Sequence, residues 1–391
     1  MTISSRLPTS FETNAVTRAI AAKRRSAASI VDLTETNPTL AGFTYPQNLL
    51  EPLANPRALE YDPQALGLWS ARAAVAADFR RRGIVIAADR VALTSSTSEA
   101  YALLFKLLCD AGDAVLVPHP SYPLFEHLTA LECVNAVPYA LEYHGAWRID
   151  IDSLKRAVND RVKAILIVSP NNPTGSFLHK DDLDAVTQVA AAHRLAIIGD
   201  EVFADYALDP APAAAPVLVG AGVLTFSLGG LSKSSGLPQL KLGWIGFGGP
   251  TAVVDEALAA YELIADTYLS VSTPVQAAAA ELIEQGTAIR AQILARVRRN
   301  LDALRQAAAA FPAVDVLRVE GGWSAMVQVP QLRSEESLVL ELLDKDDVLV
   351  HPGYFFDMPR ESYLVVSLLV DPAKFDRAIA AVLRRATKAA R

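Results

Sequence analysis

Short apolar runs alternate with amphipathic stretches through the middle of the chain. The strand-like runs are Val91–Thr94, Ala114–Pro118, Ala164–Val168, Leu195–Gly199, Val223–Leu228 and Leu242–Phe247. The stretches with helical spacing between them are Ser98–Asp110, Pro123–Leu131 and Lys180–His193. Because strands that are apolar throughout must be covered on both sides, this alternation predicts an α/β fold with a mostly parallel sheet and helices on both faces.

The pattern changes after Pro250. Two long helical stretches, Val254–Ala265 and Pro274–Ala310, come first. They precede a second, α+β group of segments: Val314–Val319, Ala325–Val329, Ser337–Leu343, Val348–Val350, Tyr363–Leu369 and a final helix from Ala373. We therefore expect a large domain over residues 45–275 and a smaller α+β domain over 276–391, with residues 1–44 as an arm that packs with the smaller domain.

Charge and cysteine content exclude several classes of protein. The 391 residues include 36 Lys and Arg against 43 Asp and Glu, a net charge of −7, which argues against a nucleic-acid or anionic membrane partner. Cys109 and Cys133 lie in no metal-ligand spacing, so neither a disulfide framework nor a cysteine zinc site is expected. Met1–Arg25 lacks the apolar core of a signal peptide. We expect a cytoplasmic protein without a metal site.

One segment, residues 210–232, carries no charged side chain and is long enough to raise the question of a membrane span. Three prolines and four glycines interrupt it, and only Val223–Leu228 is a compact apolar run. A loop followed by a buried strand is the better interpretation.

Polar side chains follow several predicted strands, at the sheet edge where α/β proteins bind ligands. The turn Thr94–Ser98 is rich in hydroxyl groups and opens a helix, whose free N–H groups would suit a phosphate, although its side chains also suit ordinary helix caps. The turn Ser169–Gly175 contains two prolines and a glycine. It either aims an asparagine side chain at a ligand or is purely structural.

Two ionisable side chains follow later strands. Asp200 comes directly after Leu195–Gly199, and a buried carboxylate there needs a cationic partner unless it caps the next helix. Lys233 lies in Gly229–Gly236, a loop rich in glycine and serine after a buried strand. Burial would lower the pKa of this lysine and make its amine a nucleophile for Schiff-base chemistry; an exposed loop lysine is the alternative.

Together these features resemble the fold-type-I pyridoxal-phosphate enzymes, and specifically the class I/II aminotransferase family. The resemblance runs over nearly the whole chain, in the motifs Asn37-Pro38-Thr39, Tyr61…Gly67, His119–Pro123, Asn171–Gly175, Asp200-Glu201, Ser232-Lys233, Gly243-Trp244, Glu320–Trp323 and Pro352-Gly353. Each motif alone is weakly specific for the family, but their common order and spacing are highly specific for it. The resemblance implies the aspartate-aminotransferase-like fold, pyridoxal 5′-phosphate as cofactor and a homodimer with shared active sites.

The resemblance also implies a role for each site residue. Lys233 would form the internal aldimine with the cofactor and then carry a proton between the substrate α-carbon and the cofactor. Asp200 would keep the pyridinium nitrogen protonated, and Asn172 would donate to the phenolic oxygen. Tyr122 would stack on the ring. The implied phosphate contacts are Ser96, Thr97, Ser98, Ser232 and Lys241, with Tyr61 reaching the phosphate of the neighbouring subunit.

The chain departs from the family pattern around the cofactor. Phe203 replaces the usual tyrosine, which leaves Asn172 as the main donor to the phenolic oxygen and should raise the pKa of the aldimine. Ser96 stands in place of a glycine of the phosphate loop. Lys241 replaces an arginine, so a point charge stands where a two-pronged donor is usual.

A further departure concerns the substrate. Val365 occupies the position of the family's arginine that holds the substrate α-carboxylate. Arg360 is either its substitute or a solvated surface residue. Either another cation binds the carboxylate, or the substrate has none at this position.

We expect a transaminase that moves an amino group from an amino acid or amine to a 2-oxo acid. A β-lyase, racemase or decarboxylase would use the same residues, because the bond held perpendicular to the ring decides the reaction. A regulatory module of this fold would carry an added N-terminal DNA-binding domain, whereas the motifs here begin at Asn37. The presence of Lys233 and Asp200 also favours catalysis.

Overall fold

The computed structural model describes residues 3–8, 10–26, 29–208, 214–219 and 222–388. Its strands are β1 (Val31–Asp32), β2 (Val91–Thr94), β3 (Ala114–His119), β4 (Asn135–Tyr143), β5 (Trp147–Ile149), β6 (Val162–Val168), β7 (Ala196–Asp200), β8 (Thr225–Gly230), β9 (Gly243–Gly248), β10 (Asp315–Val316), β11 (Ser324–Gln328), β12 (Val348–Leu349), β13 (His351–Pro352) and β14 (Tyr363–Ser367). Its helices are α1 (Ala15–Arg25), α2 (Trp69–Arg81), α3 (Thr97–Leu108), α4 (Phe125–Leu131), α5 (Ile151–Ala157), α6 (Lys180–His193), α7 (Leu231–Ser234), α8 (Thr251–Tyr268), α9 (Thr273–Ala277), α10 (Ala279–Ala308), α11 (Glu335–Asp346) and α12 (Pro372–Ala386).

The described residues form an eight-stranded sheet in the order β2-β9-β8-β7-β6-β3-β4-β5. The run from β8 to β4 is parallel, while β9 and β5 run antiparallel to their neighbours. This confirms the mostly parallel sheet. The strand β9 is reversed because residues 231–242 fold back at the edge where β8 ends instead of crossing over the sheet.

Helices cover both faces of this sheet, as predicted. Leu166 and Ile198 pack on one side into a cluster with residues of α3 and α8. Ile165 and Ile197, their neighbours along β6 and β7, pack on the other side against α6. Because successive side chains of a strand point to opposite faces, a strand covered on both sides must be apolar throughout, which is the pattern seen in the sequence.

A smaller, antiparallel sheet has the order β10-β11-β14-β13 and packs with the C-terminal helices. Asn300 of α10 is fully buried and donates to the carbonyls of Leu368 and Val370, both at 2.8 Å. Near the N-terminus, β1 pairs with β12, and α1 packs against α11. The arm and the small sheet therefore form one packed unit beside the site.

The sequence predictions differ from the structure at several segments, and they did not include the helices α1, α2 and α5. The prediction missed β4 and β5, since β4 is half-buried and contains Pro138, which argues against a central strand. Lys233 lies in the short helix α7 and not in a loop. The stretch Pro274–Ala310 is broken at Ala278 into α9 and α10.

The charge-free segment 210–232 contains β8, the buried strand that was expected there. Residues 210–213, 220 and 221 of that segment lie outside the described residues. Among the helices that the structure describes, none is both long and apolar enough to span a bilayer.

Candidate active site

A cavity of about 370 Å³ lies at the carboxyl edge of the large sheet, between the ends of β6, β7 and β8 and the start of β11. Its volume is in the range of small-molecule sites. Nine of the ten predicted site residues line it: Ser96, Thr97, Ser98, Tyr122, Asn172, Asp200, Ser232, Lys233 and Lys241. The fold thus brings together residues from five separate segments of the chain.

One end of the cavity is built to hold an anion. The Ser96 side chain caps α3 by accepting from the N–H of Glu99 at 3.1 Å, which leaves the N–H groups of Thr97 and Ser98 at the open end of the helix. The exposed Lys241 lines the same cavity. Hydroxyl groups, a helix N-terminus and a cation together suit a phosphate group.

Gly243 allows β9 to come close to this hydroxyl-rich turn. A Cβ atom at this position would lie 2.9 Å from Oγ1 of Thr94 and 3.0 Å from the carbonyl carbon of Ser96. Because both neighbours belong to the turn that opens α3, any larger residue would displace the anion-binding end of the cavity.

Asp200 lies at the end of β7, and its carboxylate accepts hydrogen bonds from the Tyr101 hydroxyl at 3.0 Å and from the Val202 N–H at 3.2 Å. Burial raises the pKa of this carboxyl group to about 6, although both hydrogen bonds and the nearby Lys233 lower it. A second cation beside Asp200 would stabilise its charged form. Such a cation would have to come from a ligand in the cavity.

Lys233 is placed by α7 so that its side chain reaches the cavity. Burial lowers the pKa of its amine to about 8, against the opposing effect of the Asp200 charge. The hydroxyl of Tyr206 donates to the Lys233 carbonyl at 2.6 Å and fixes the backbone at this point. An amine with a pKa near neutral can act as a nucleophile and as a proton carrier.

Asn172 and Tyr122 complete the predicted set within the cavity. The Oδ1 atom of Asn172 is buried and has no hydrogen-bond partner among the described residues, so its amide is available to a ligand. Tyr122 is 46% exposed at the cavity mouth, with a ring face free for stacking. Tyr61, by contrast, is 78% exposed and lines a different hollow with Gln64 and Tyr268.

Neither Val365, at the position of the family's carboxylate-binding arginine, nor its candidate substitute Arg360 lines the cavity. Val365 is buried in a cluster with Met326, Phe356 and Trp147. Arg360 donates to the hydroxyl of Tyr363 at 3.3 Å. Among the described residues that line the cavity, the charged side chains are Asp200, Lys233 and Lys241.

Sequence reasoning gave no site role to three aromatic residues that line the cavity, Tyr101, Phe125 and Trp323. Tyr101 lies within the predicted helical stretch Ser98–Asp110, and its position four residues after Thr97 places both on one helix face. Trp323 belongs to a motif quoted for the resemblance, but no role was assigned to it. Its ring lies beneath the Lys233 ammonium.

Glu320 ties the Trp323 loop to the loop that carries Asn172. Its carboxylate is 2% exposed and accepts from the Phe177 N–H at 3.0 Å and from His179 Nε2 at 3.0 Å. Its own N–H donates to the Gly175 carbonyl. These contacts hold two walls of the cavity at a fixed separation.

We predict that Glu320→Ala lowers the free energy of unfolding by about 3 kcal/mol, because the substitution leaves buried donors without an acceptor. Urea unfolding followed by tryptophan fluorescence would measure the loss. Glu284→Ala, which removes an exposed glutamate of α10, is the control and should change stability by less than about 0.5 kcal/mol. Equal stability of the two variants would contradict the bridging role of Glu320.

Comparison with known proteins identifies the family. The profile described as "Aminotransferase class I and II" matches residues 50–382. The chain belongs to this aminotransferase family. This confirms the resemblance inferred from the motifs.

Curated relatives of this aminotransferase carry related names. The chain is 28% identical over 366 residues to the glutamate-pyruvate aminotransferase AlaA of Haemophilus influenzae, covering 91% of this chain and 90% of the relative. It is 27% identical over 370 residues to an alanine aminotransferase of Mycobacterium tuberculosis, covering 91% and 84%.

Solved structures show that the fold is shared. Alanine aminotransferase from Pyrococcus furiosus superposes with a TM-score of 0.88 at 24% identity, over 98% of this chain and 99% of that one. N-succinyldiaminopimelate aminotransferase from Mycobacterium tuberculosis gives a TM-score of 0.83 at 25% identity, over 98% and 100%. The fold is that of the fold-type-I aminotransferases, as predicted.

These findings decide between the reactions considered from the sequence. The aminotransferase family profile and the named aminotransferase relatives support transfer of an amino group from an amino donor to a 2-oxo acid. The lyase, racemase and decarboxylase alternatives are not favoured, and neither is a regulatory module. The protein is a transaminase.

Proposed function

We propose that this transaminase uses pyridoxal 5′-phosphate, held in the cavity at the carboxyl edge of the large sheet. The observation that carries the proposal is the placement of Lys233 and Asp200 in one cavity with the hydroxyl-rich start of α3. A flat ring with a phosphate at one end and a basic nitrogen at the other fits these residues. When bound, the cofactor supplies an electron sink for the substrate α-carbon.

The residues would divide the binding between them. Ser96, Thr97, Ser98, Ser232 and Lys241 would hold the phosphate, since they supply hydroxyl donors, a helix N-terminus and a positive charge. Asn172 would donate from its Nδ2 atom to the ring's oxygen substituent. Tyr122 would cover one ring face.

Asp200 and Lys233 would perform the acid–base work. Asp200 would keep a proton on the ring nitrogen, because a buried carboxylate stabilises a cation beside it far more than water does. Lys233 would hold the cofactor through its side-chain nitrogen and move a proton to and from the substrate α-carbon. Its depressed pKa of about 8 leaves a useful fraction of neutral amine near physiological pH.

We propose alanine or glutamate as amino donor and pyruvate or 2-oxoglutarate as acceptor, because the curated relatives are glutamate-pyruvate and alanine aminotransferases. The test is a donor panel in which each amino acid is paired with the amine that lacks its α-carboxylate, such as alanine with ethylamine. We expect stoichiometric formation of the oxo product and the aminated acceptor, without free ammonia. Release of ammonia with pyruvate from a donor with a β-leaving group, such as cysteine or serine, in the absence of an acceptor would identify a lyase instead.

We further propose a cytoplasmic homodimer with shared active sites, in which Tyr61 reaches the phosphate in the neighbouring subunit. The exposed apolar side chains Leu59, Leu263 and Tyr268 would be covered by the second copy. Both cysteines are free thiols, as expected in a reducing compartment. Sedimentation of the wild type would show a dimer, and a monomer with full activity would contradict shared sites.

We also propose that the chain divides into an arm over residues 1–44, a large domain over 45–275 and a small domain over 276–391.

A further inference from the structure

The ammonium of Lys233 lies against a pair of packed aromatic rings, Trp323 and Phe203. Its Nζ atom is 5.0 Å from the ring centroid of Trp323 and 5.5 Å from that of Phe203. An ammonium within about 6 Å of a ring face is attracted by the negative face of the π-system, most strongly over tryptophan. Both contacts are therefore close enough to stabilise the charged lysine.

The Trp323 ring is held firmly in this orientation. It is 2% exposed and packs edge-to-face with Phe203 at 5.2 Å and with Tyr206 at 5.1 Å. Tyr206 also donates to the Lys233 carbonyl. The same tyrosine thus fixes the backbone of the lysine and the ring beneath its ammonium, so the contact is part of the packed structure.

Several charged or titratable groups face Lys233 or its surroundings. Asp200 is the one whose charge raises the pKa of the amine against the effect of burial. Tyr101 acts on Asp200, and the exposed Lys241 lines the same cavity. Other titratable groups on the packed elements include Glu201, Asp205, Tyr206 and Arg290, of which Arg290 donates to the Ser234 carbonyl. The buried Glu320 lies on the Trp323 loop, and the Tyr45 hydroxyl donates to the Gly236 carbonyl just after α7.

We propose that Trp323, with Phe203 beside it, is a positioning residue for Lys233, whose free ammonium its ring face binds through a cation–π contact. The ring face would stabilise the ammonium that Lys233 becomes on accepting a proton, and keep it directed into the cavity until the proton is passed on. The catalytic role of this contact rests on the proposed function of Lys233. The contact itself does not depend on that function, and it can be tested in the absence of cofactor.

The test is the labelling midpoint of Lys233 in the full-length chain, freed of cofactor by treatment with hydroxylamine followed by dialysis. Competitive acetylation with acetic anhydride from pH 6 to 11, read by mass spectrometry, gives the pKa of this lysine, with the exposed Lys180 as internal standard. We expect Trp323→Leu to lower the midpoint by about half a pH unit. Trp323→Phe should lower it less. Trp147→Leu, a matched loss of another buried tryptophan, should leave it unchanged.

A second measurement separates the π-face from the size of the ring. The chain has four tryptophans, and growth on 5-fluorotryptophan weakens the negative ring face with little change in volume. The midpoint should fall in the fluorinated wild type and stay fixed in fluorinated Trp323→Phe. The fluorination experiment also tests the proposal if Trp323→Leu does not fold.

A shift of the labelling midpoint in the opposite direction overturns the proposal. A ring that only excludes water would depress the pKa of the lysine, so its removal would raise the midpoint. A rise or no change in Trp323→Leu, or a midpoint insensitive to fluorination, would remove Trp323 from this role. If the chain instead fails to transaminate while the midpoint still falls in the variants, the contact stands and the proposed function fails.

Discussion

Replacing Lys233 with alanine is expected to abolish amino-group transfer, with kcat reduced by about 10⁴-fold or more. Lys233 and Lys241 are the amines among the described residues that line the cavity, and Lys241 lies on the exposed, anion-binding side. The variant therefore has no group in reach to move the α-proton. Coupled assays of oxo-acid formation at saturating donor would measure the loss.

Two comparisons make this result specific. Lys233→Arg retains a positive charge but not a titratable amine, since the guanidinium stays protonated, so it should be as inactive as the alanine variant. Lys180→Ala removes an exposed lysine that pairs with Asp184 across one helical turn and should retain wild-type activity. If Lys233→Ala kept a tenth of the wild-type rate, the reaction would have to use another base.

The predicted site residues that the structure brings together share one physical property. Asp200 ends β7 and Lys233 lies three residues after β8; both strands are apolar on both faces, and parallel strands of that kind all end at one edge of their sheet. Continuous apolar runs are therefore sufficient to predict that these side chains meet. The hydroxyl-rich turn before α3 follows the same rule, since β2 also ends at this edge.

The aromatic part of the site could not be predicted in this way. Trp323 reaches Lys233 only because the small sheet packs against the edge of the large one, a contact between segments ninety positions apart in the numbering. Nothing in the local sequence of either segment specifies that packing. Tyr101 poses a similar problem. Only the hydrogen bond from its hydroxyl to the Asp200 carboxylate distinguishes it from an ordinary aromatic residue of the core.

The direction of β9 and the presence of β4 show a second limit. Period and composition predict a strand at β9 but not its direction, which depends on the path of residues 231–242. In β4, Pro138 removes a backbone donor in the middle of a nine-residue strand, so local propensity argues against the observed structure. Pairing with β3 on one side and β5 on the other outweighs that local cost.

Asp200→Asn is expected to lower kcat by about 10³-fold, because the amide has the shape of the carboxylate but not its charge. Without that charge, nothing among the described cavity residues holds a proton on the cofactor's ring nitrogen. The amide should still accept a hydrogen bond from Tyr101, so the position of the side chain is preserved. Single-turnover measurements with a saturating donor would isolate the effect on proton abstraction from product release.

The stability of the cofactor-free chain provides an independent check on this variant. Burial raises the pKa of the Asp200 carboxyl group from 3.8 to about 6, so the folded protein binds this proton more tightly than the unfolded chain. The protonated carboxyl group therefore contributes to the free energy of unfolding of the wild type. This contribution is complete below pH 3.8 and is lost as the pH rises through 6, where the buried group ionises. The free energy of unfolding of Asp200→Asn should therefore be about 2 kcal/mol higher than that of the wild type at pH 7.5, and this difference should vanish near pH 4. A variant that is inactive yet more stable at pH 7.5 has lost a charge needed for the reaction, whereas one that is inactive and less stable has lost its fold.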